Sequence, residues 1–191
     1  MLTLLLLLIF ALCVAFLFNG GLWSCVIALF NVLMATLLAI NYFEPLANFF
    51  DTQYKDLTYT YDFVALWLIF VVAYVALRAI TDFLSKVNVR FKRPVDVAGG
   101  LLFAACVGWV MVCFTTMTLH TAPLHTDFMG AFATPQTREF FGFAPDRVWL
   151  GFAQKTSQGV LDRSNTFDPN ADYIYKYRAR REAGLGKKPG K

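Results

Sequence analysis

The closest grouping of residues that could do chemistry together in this chain is His120, His125 and Asp127. Two imidazoles and a carboxylate are ordinary zinc ligands. Their spacing fits no frame such as H-E-x-x-H, however, and Pro123 interrupts the run. They read as polar residues at the edge of an apolar segment. The cysteines, Cys13, Cys25, Cys106 and Cys113, all lie in apolar stretches with no C-x-x-C pair. Cys106 and Cys113 share a helix face about two turns apart, too far to bridge. All four read as free thiols packed as small hydrophobes.

Every Asp and Glu lies in a loop or at the end of an apolar segment. Ion-coupled carriers place ionisable groups inside their spans, so none is expected here. Gly99-Gly100 opens an apolar segment and does not follow a strand, which removes a phosphate loop. The chain therefore reads as non-enzymatic, with no catalytic residue, cofactor or metal site expected.

The elements that carry these residues are membrane helices. The chain is 58% hydrophobic and 16% charged, against about 25% charged in soluble domains. The first 43 residues hold no charge. One crossing needs about 20 apolar residues, so this stretch suits two, with a turn at Asn19-Gly20-Gly21. A cleavable leader would need a basic start and a small-residue cleavage site, and residues 1–18 show neither. Four spans follow, at about Leu2 to Phe18, Leu22 to Tyr42, Phe63 to Leu77 (extended if Arg78 snorkels) and Val97 to Leu119.

Loop charge sets the expected orientation. The second loop carries Glu44, Asp51, Asp56 and Asp62 against Lys55 alone. The third carries Arg78, Lys86, Arg90, Lys92 and Arg93 against Asp82 and Asp96. Short cytoplasmic loops are the Lys/Arg-rich ones, so the third loop is inside and both termini face outward. Within that loop Ile80, Phe83, Leu84, Val87 and Phe91 recur at helical spacing. The pattern predicts a cytoplasmic amphipathic helix in the interface, with Lys86, Arg90, Lys92 and Arg93 on lipid headgroups. A cytoplasmic extension of the third helix packed on protein is the alternative. Pro94 stops the helix in either case.

The fold class that follows is all-α, an integral membrane bundle of four transmembrane helices over residues 1–121. Residues 122–191 form an extracytoplasmic tail. Pro145 precedes a short amphipathic helix at about 146–161, with Trp149, Phe152, Ala153 and Val160 on one side. From Tyr173 onward the tail is basic and Gly-rich and reads as largely disordered.

The most informative motif is in the fourth span, where Gly100, Ala104 and Gly108 stand four apart. In lipid, helices associate by close backbone approach over small residues. These three make a groove for another helix, from this chain or from another copy. Asp96, four residues earlier, suits a cap on backbone N–H groups at a helix start. In the second span Ser24, Ala28, Asn31, Ala35 and Ala39 form a small and polar stripe. Asn31 lies mid-membrane and should find a hydrogen-bonding partner, as glue between helices or as part of a solute path.

Over about residues 19 to 119 the chain resembles the colicin V production protein (CvpA) family of bacterial inner-membrane proteins. The resemblance rests on the Gly21-led helix ending Y-F-E-P-L-A, the third helix running into a basic amphipathic segment, and the Asp96, Gly100, Ala104, Gly108 ladder. Ala104 stands where the family usually has Gly, and the N-terminus lacks the family's acidic residue. The resemblance implies a four-helix membrane protein linked to toxin production or export and to envelope maintenance. Some relatives carry a periplasmic protease domain after this unit. The tail here is short and has no G-x-S-x-G or G-D-S-G segment.

The expected role is an accessory or interaction component in the bacterial inner membrane. Two alternatives stay open. One is a passive transporter or channel subunit with Asn31, Thr115, Thr116 and Thr118 lining a path. The other is an accessory subunit or assembly factor of a larger complex. Expected partners are the lipid bilayer, a further copy of the chain through the fourth helix, and a membrane or periplasmic protein of unstated identity. Nucleic acid is not expected.

Overall fold

The computed structural model describes residues 2–53, 58–85, 91–122, 124, 143–158, 167–168 and 170–185. The elements are helices: α1 (Leu2–Phe18), α2 (Gly21–Gln53), α3 (Thr58–Leu84), α4 (Arg93–Leu119), α5 (Pro145–Gln158) and α6 (Tyr173–Leu185). Three stretches, Gly21–Thr52, Thr60–Leu84 and Arg93–Leu119, are long and apolar enough to cross a membrane. The helix α1 is a shorter apolar one of 17 residues. At about 1.5 Å per residue it is roughly 25 Å long, slightly under the hydrocarbon thickness.

Helix α2 packs against both α3 and α4, which also touch each other, and α1 lies along α4. The indole of Trp23 donates to Ser85 Oγ at 2.9 Å, so α2 starts where α3 ends. Leu2 and Leu6 pack with Val112 and Leu119, so α1 runs antiparallel to α4. One end of the bundle, the turn end, therefore holds the Gly20-Gly21 turn, Ser85 and Asp96. The other, the tail end, receives α5 and α6.

The core joins small residues of α2 to large ones of its neighbours. Ala28, Ala35 and Ala39 are buried beside Leu66 and Phe70 of α3 and Phe114 and Met117 of α4. The rings of Phe70 and Trp67 lie 5.0 and 5.5 Å from that of Phe114. Pairs at such distances add about 0.5–1.5 kcal/mol each beyond area burial. The small face of α2 allows the close approach, and the rings fill the space beyond it.

Several expectations need correction. The second span does not stop at Tyr42: α2 continues through Pro45 to Gln53. Phe43 and Ala47 repeat the buried face, and that packing outweighs the N–H that Pro45 cannot donate to Asn41. Pro94 does not end a helix but sits in the first turn of α4, where a missing N–H is harmless. Ile80, Phe83 and Leu84, assigned to an interfacial helix, belong to α3 and are exposed on it. Val87, like Lys86 and Arg90, lies outside the described residues.

The tail also differs. Residues 173–185 form α6 where disorder was expected, and Tyr173 and Tyr177, one turn apart, are buried. On α5 the buried side is Trp149, Leu150, Ala153 and Ser157, while Phe152 is exposed. Val160 lies outside the described residues. The cysteines are free, as expected, with Cys25 and Cys113 buried and Cys13 partly so, but Cys106 faces outward.

Candidate functional site

Asp96 connects two helices at the turn end. It lies in the first turn of α4, whose N-cap position, Lys92, makes no side-chain cap bond. Its Oδ1 accepts the Leu22 backbone N–H at 3.0 Å, so the carboxylate caps α2 from a neighbouring helix. Two helix N-termini, each with a partial positive charge, thus share one anion. Gly21 makes this possible. Its φ of 74° lies in the left-handed region, and a Cβ there would stand 3.1 Å from Asp96 Oδ2.

Below Asp96 the small face of α4 meets other parts of the same chain. A Cβ added at Gly100 would stand 3.4 Å from backbone atoms of Gly21 and Leu22. One at Gly108 would stand 2.9 Å from the Phe10 ring and 3.3 Å from the Phe10 carbonyl oxygen. Ala104, between them, is fully buried. The occupants are therefore the start of α2 and the middle of α1. Gly99, outside the expected ladder, is tight as well, its Cβ position being 2.7 Å from Leu22 Cδ1.

Asn31 is fully buried, and its Nδ2 donates to Thr81 Oγ1 of α3 at 2.9 Å. Among the described residues its Oδ1 has no hydrogen-bond partner, and neither has Thr115 Oγ1. Thr116 and Thr118 bond instead to carbonyls of their own helix. Ala28 and Ala35, one turn either side of Asn31, are buried and leave the room that its amide uses. Lys92 and Arg93 are exposed at the turn end. Lys86 and Arg90 lie outside the described residues, as do His125 and Asp127.

The tail end collects charges that lie far apart in the sequence. His120 Nε2 lies 3.1 Å from Asp146 Oδ2, and both side chains are buried. Burial pushes the Asp146 carboxyl up. The His120 hydrogen bond and charge, with the Arg147 backbone N–H, outweigh this and hold it below its ordinary range. On α6, Arg180 donates to Asp62 Oδ2 at 2.6 Å, and Tyr177 also hydrogen-bonds that carboxylate. Lys176 stands 3.5 Å from Glu44 Oε1. Tyr173 donates to the Met117 sulfur at 3.0 Å. Among the described residues no group of His, Cys, Asp and Glu is arranged to hold a metal ion.

A group held below its unfolded pKa stabilises the fold above that value and loses the contribution as pH falls through the folded one. The unfolded Asp value is about 3.9, so the α5 contact should be insensitive to Asp146 titration at neutral pH and weaken below about pH 4. Trp149 fluorescence should report this, and Asp146→Asn should remove that acid-dependent component. An identical acid profile in the variant would contradict it.

Three long apolar helices around a shared small-residue core make this a multi-pass helical membrane protein. The family model described as colicin V production protein matches residues 2–138, and the chain belongs to that family. The match includes α1, which the resemblance drawn from residues 19 to 119 left out. No curated protein and no solved structure matches the chain.

Proposed function

We propose that this protein is a non-enzymatic accessory component of the bacterial inner membrane, serving colicin V production or export and envelope maintenance. The family match over residues 2–138 carries this reading. On this reading α1 is a fourth crossing. Its 17 uncharged residues lie along the full-length span α4, and modest local thinning accommodates the shortfall. The bundle then works as a scaffold, and its partner is a membrane or periplasmic protein. Mild-detergent co-purification from a producing strain should return a partner in fixed stoichiometry, and loss of the protein should lower toxin yield. Unchanged yield together with purification of the chain alone would overturn the role.

The turn end faces the cytoplasm in this reading, because the bases of the third loop flank it. Cysteines introduced at Thr52, Asn88 and Thr166, with the native thiols removed, should label from outside at the first and last positions only. Replacing Lys86, Arg90, Lys92 and Arg93 with Gln should weaken that preference, since each base near an anionic surface contributes about 1 kcal/mol. Labelling of Asn88→Cys alone would reverse the orientation.

A passive transporter is the second reading. Asn31 Oδ1 and Thr115 Oγ1, buried within the spans and without a partner among the described residues, favour it. Solute flux through proteoliposomes of the pure protein would support that reading, and tight vesicles would remove it.

A further inference from the structure

At the tail end Glu44 and Asn48 of α2, Asp62 of α3 and Lys176, Tyr177 and Arg180 of α6 line a cavity of about 170 Å³. Its two walls carry opposite charge and come from different parts of the chain. The bundle supplies the carboxylates of Glu44 and Asp62, and α6 supplies the ammonium and the guanidinium. Tyr177, itself buried, stands 5.9 Å from Lys176 Nζ and 5.6 Å from the Arg180 guanidinium, ring centre to charge. Both cations therefore lie within cation–π reach of the ring that lines the cavity.

This lining excludes most guests. A metal cation at the carboxylates would sit against Lys176 and Arg180. A free anion at the two bases would sit against Glu44 and Asp62. A guest with both charges, an ammonium toward the bundle and a carboxylate toward α6, meets an opposite charge at each end. The volume is below the roughly 300–1,000 Å³ usual for drug-sized ligands, so the guest is small.

The lining also has capacity to accept it. Lys176 and Glu44 are 3.5 Å apart and half-exposed, with side-chain exposures of 50% and 60%, and such pairs are worth little in water. Opening them to insert a zwitterion leaves each charge with a new partner. Arg180 bonds to Asp62 through Nη1 and has further N–H groups on its fork, and the amide of Asn48 can donate or accept.

We propose that this cavity binds a small α-amino acid, its ammonium between Glu44 and Asp62 and its carboxylate on Lys176 and Arg180. The site stands on the described geometry and does not depend on the accessory role or the orientation. Calorimetry on the full-length protein in nanodiscs, at fixed ionic strength, tests it with glycine and L-alanine as probes. Acetate and methylammonium are the half-ligand controls. Saturable heat is expected with glycine or alanine and not with either half.

Glu44→Gln and Lys176→Gln should each weaken binding about tenfold or more, the usual worth of a hydrogen bond to a charge. Both side chains are exposed, so both variants should keep the wild-type helix content and melting profile. Absence of saturable binding by either amino acid overturns the proposal. So does equal binding by acetate or methylammonium, or unchanged affinity in both folded variants.

Discussion

Gly108→Leu is expected to be the most damaging single substitution in the bundle, destabilising it by about 3 kcal/mol. A side chain there meets the Phe10 ring at 2.9 Å and the Phe10 carbonyl oxygen at 3.3 Å. The ring can swing aside, but the carbonyl moves only with the whole of α1. Separating α1 from α4 forfeits many small dispersion contacts together, and no hydrophobic drive in lipid restores them. Leu102→Ile is the control, since Leu102 lies on the same helix and is 62% exposed. Unfolding in mixed micelles with increasing denaturing detergent gives the comparison. Equal midpoints for the two variants would show that the small face of α4 is ordinary membrane composition.

The second large effect is expected at Asp96. Asp96→Ala should lower stability by about 2 kcal/mol, the loss of a hydrogen bond to a charged acceptor and of the anion shared by two helix starts. Asp96→Asn keeps an acceptor for the Leu22 N–H and loses the charge, so about half of that loss is expected. The ordering separates the two contributions. If Asn is as damaging as Ala, charge alone matters; if Asn equals wild type, only the hydrogen bond does. Wild-type stability in Asp96→Ala would show that the 3.0 Å contact contributes nothing.

The membrane character of the chain was legible because it depends on local composition. Long uncharged runs and the Asn19-Gly20-Gly21 break are one-dimensional signals, and α2, α3 and α4 grow from them. Pairings were not legible. Asp96 reads as a cap for its own helix, and only the fold shows that the start of α2, 74 residues earlier in the chain, comes within its reach. Asn31 was expected to find a partner, but nothing local points to Thr81. Glu44 looked like the edge of a loop because it is the first charge after 43 uncharged residues, yet burial of Phe43 and Ala47 carries the helix onward.

Helix α6 was missed for a related reason. Its bases and glycines match the composition of a solvated tail, while the residues that hold it, Tyr173 and Tyr177, are only two among many aromatics. A spacing of four between them was the one available signal. Their partners, Met117 and Asp62, belong to helices that the tail rejoins only in three dimensions.

The Arg180–Asp62 contact has a consequence for biosynthesis. The two residues are separated by 118 positions, so Asp62 is made long before the group that neutralises it. At about 5–20 residues per second the wait is roughly 6 to 24 s. Throughout that interval the carboxylate at the head of α3 lacks the Arg180 guanidinium, and water or phospholipid headgroups solvate it. The nascent protein therefore completes its apolar spans first and fastens their charged end last. A ribosome that stalls or terminates before codon 180 would release a chain whose membrane part is whole and whose acidic end is still open.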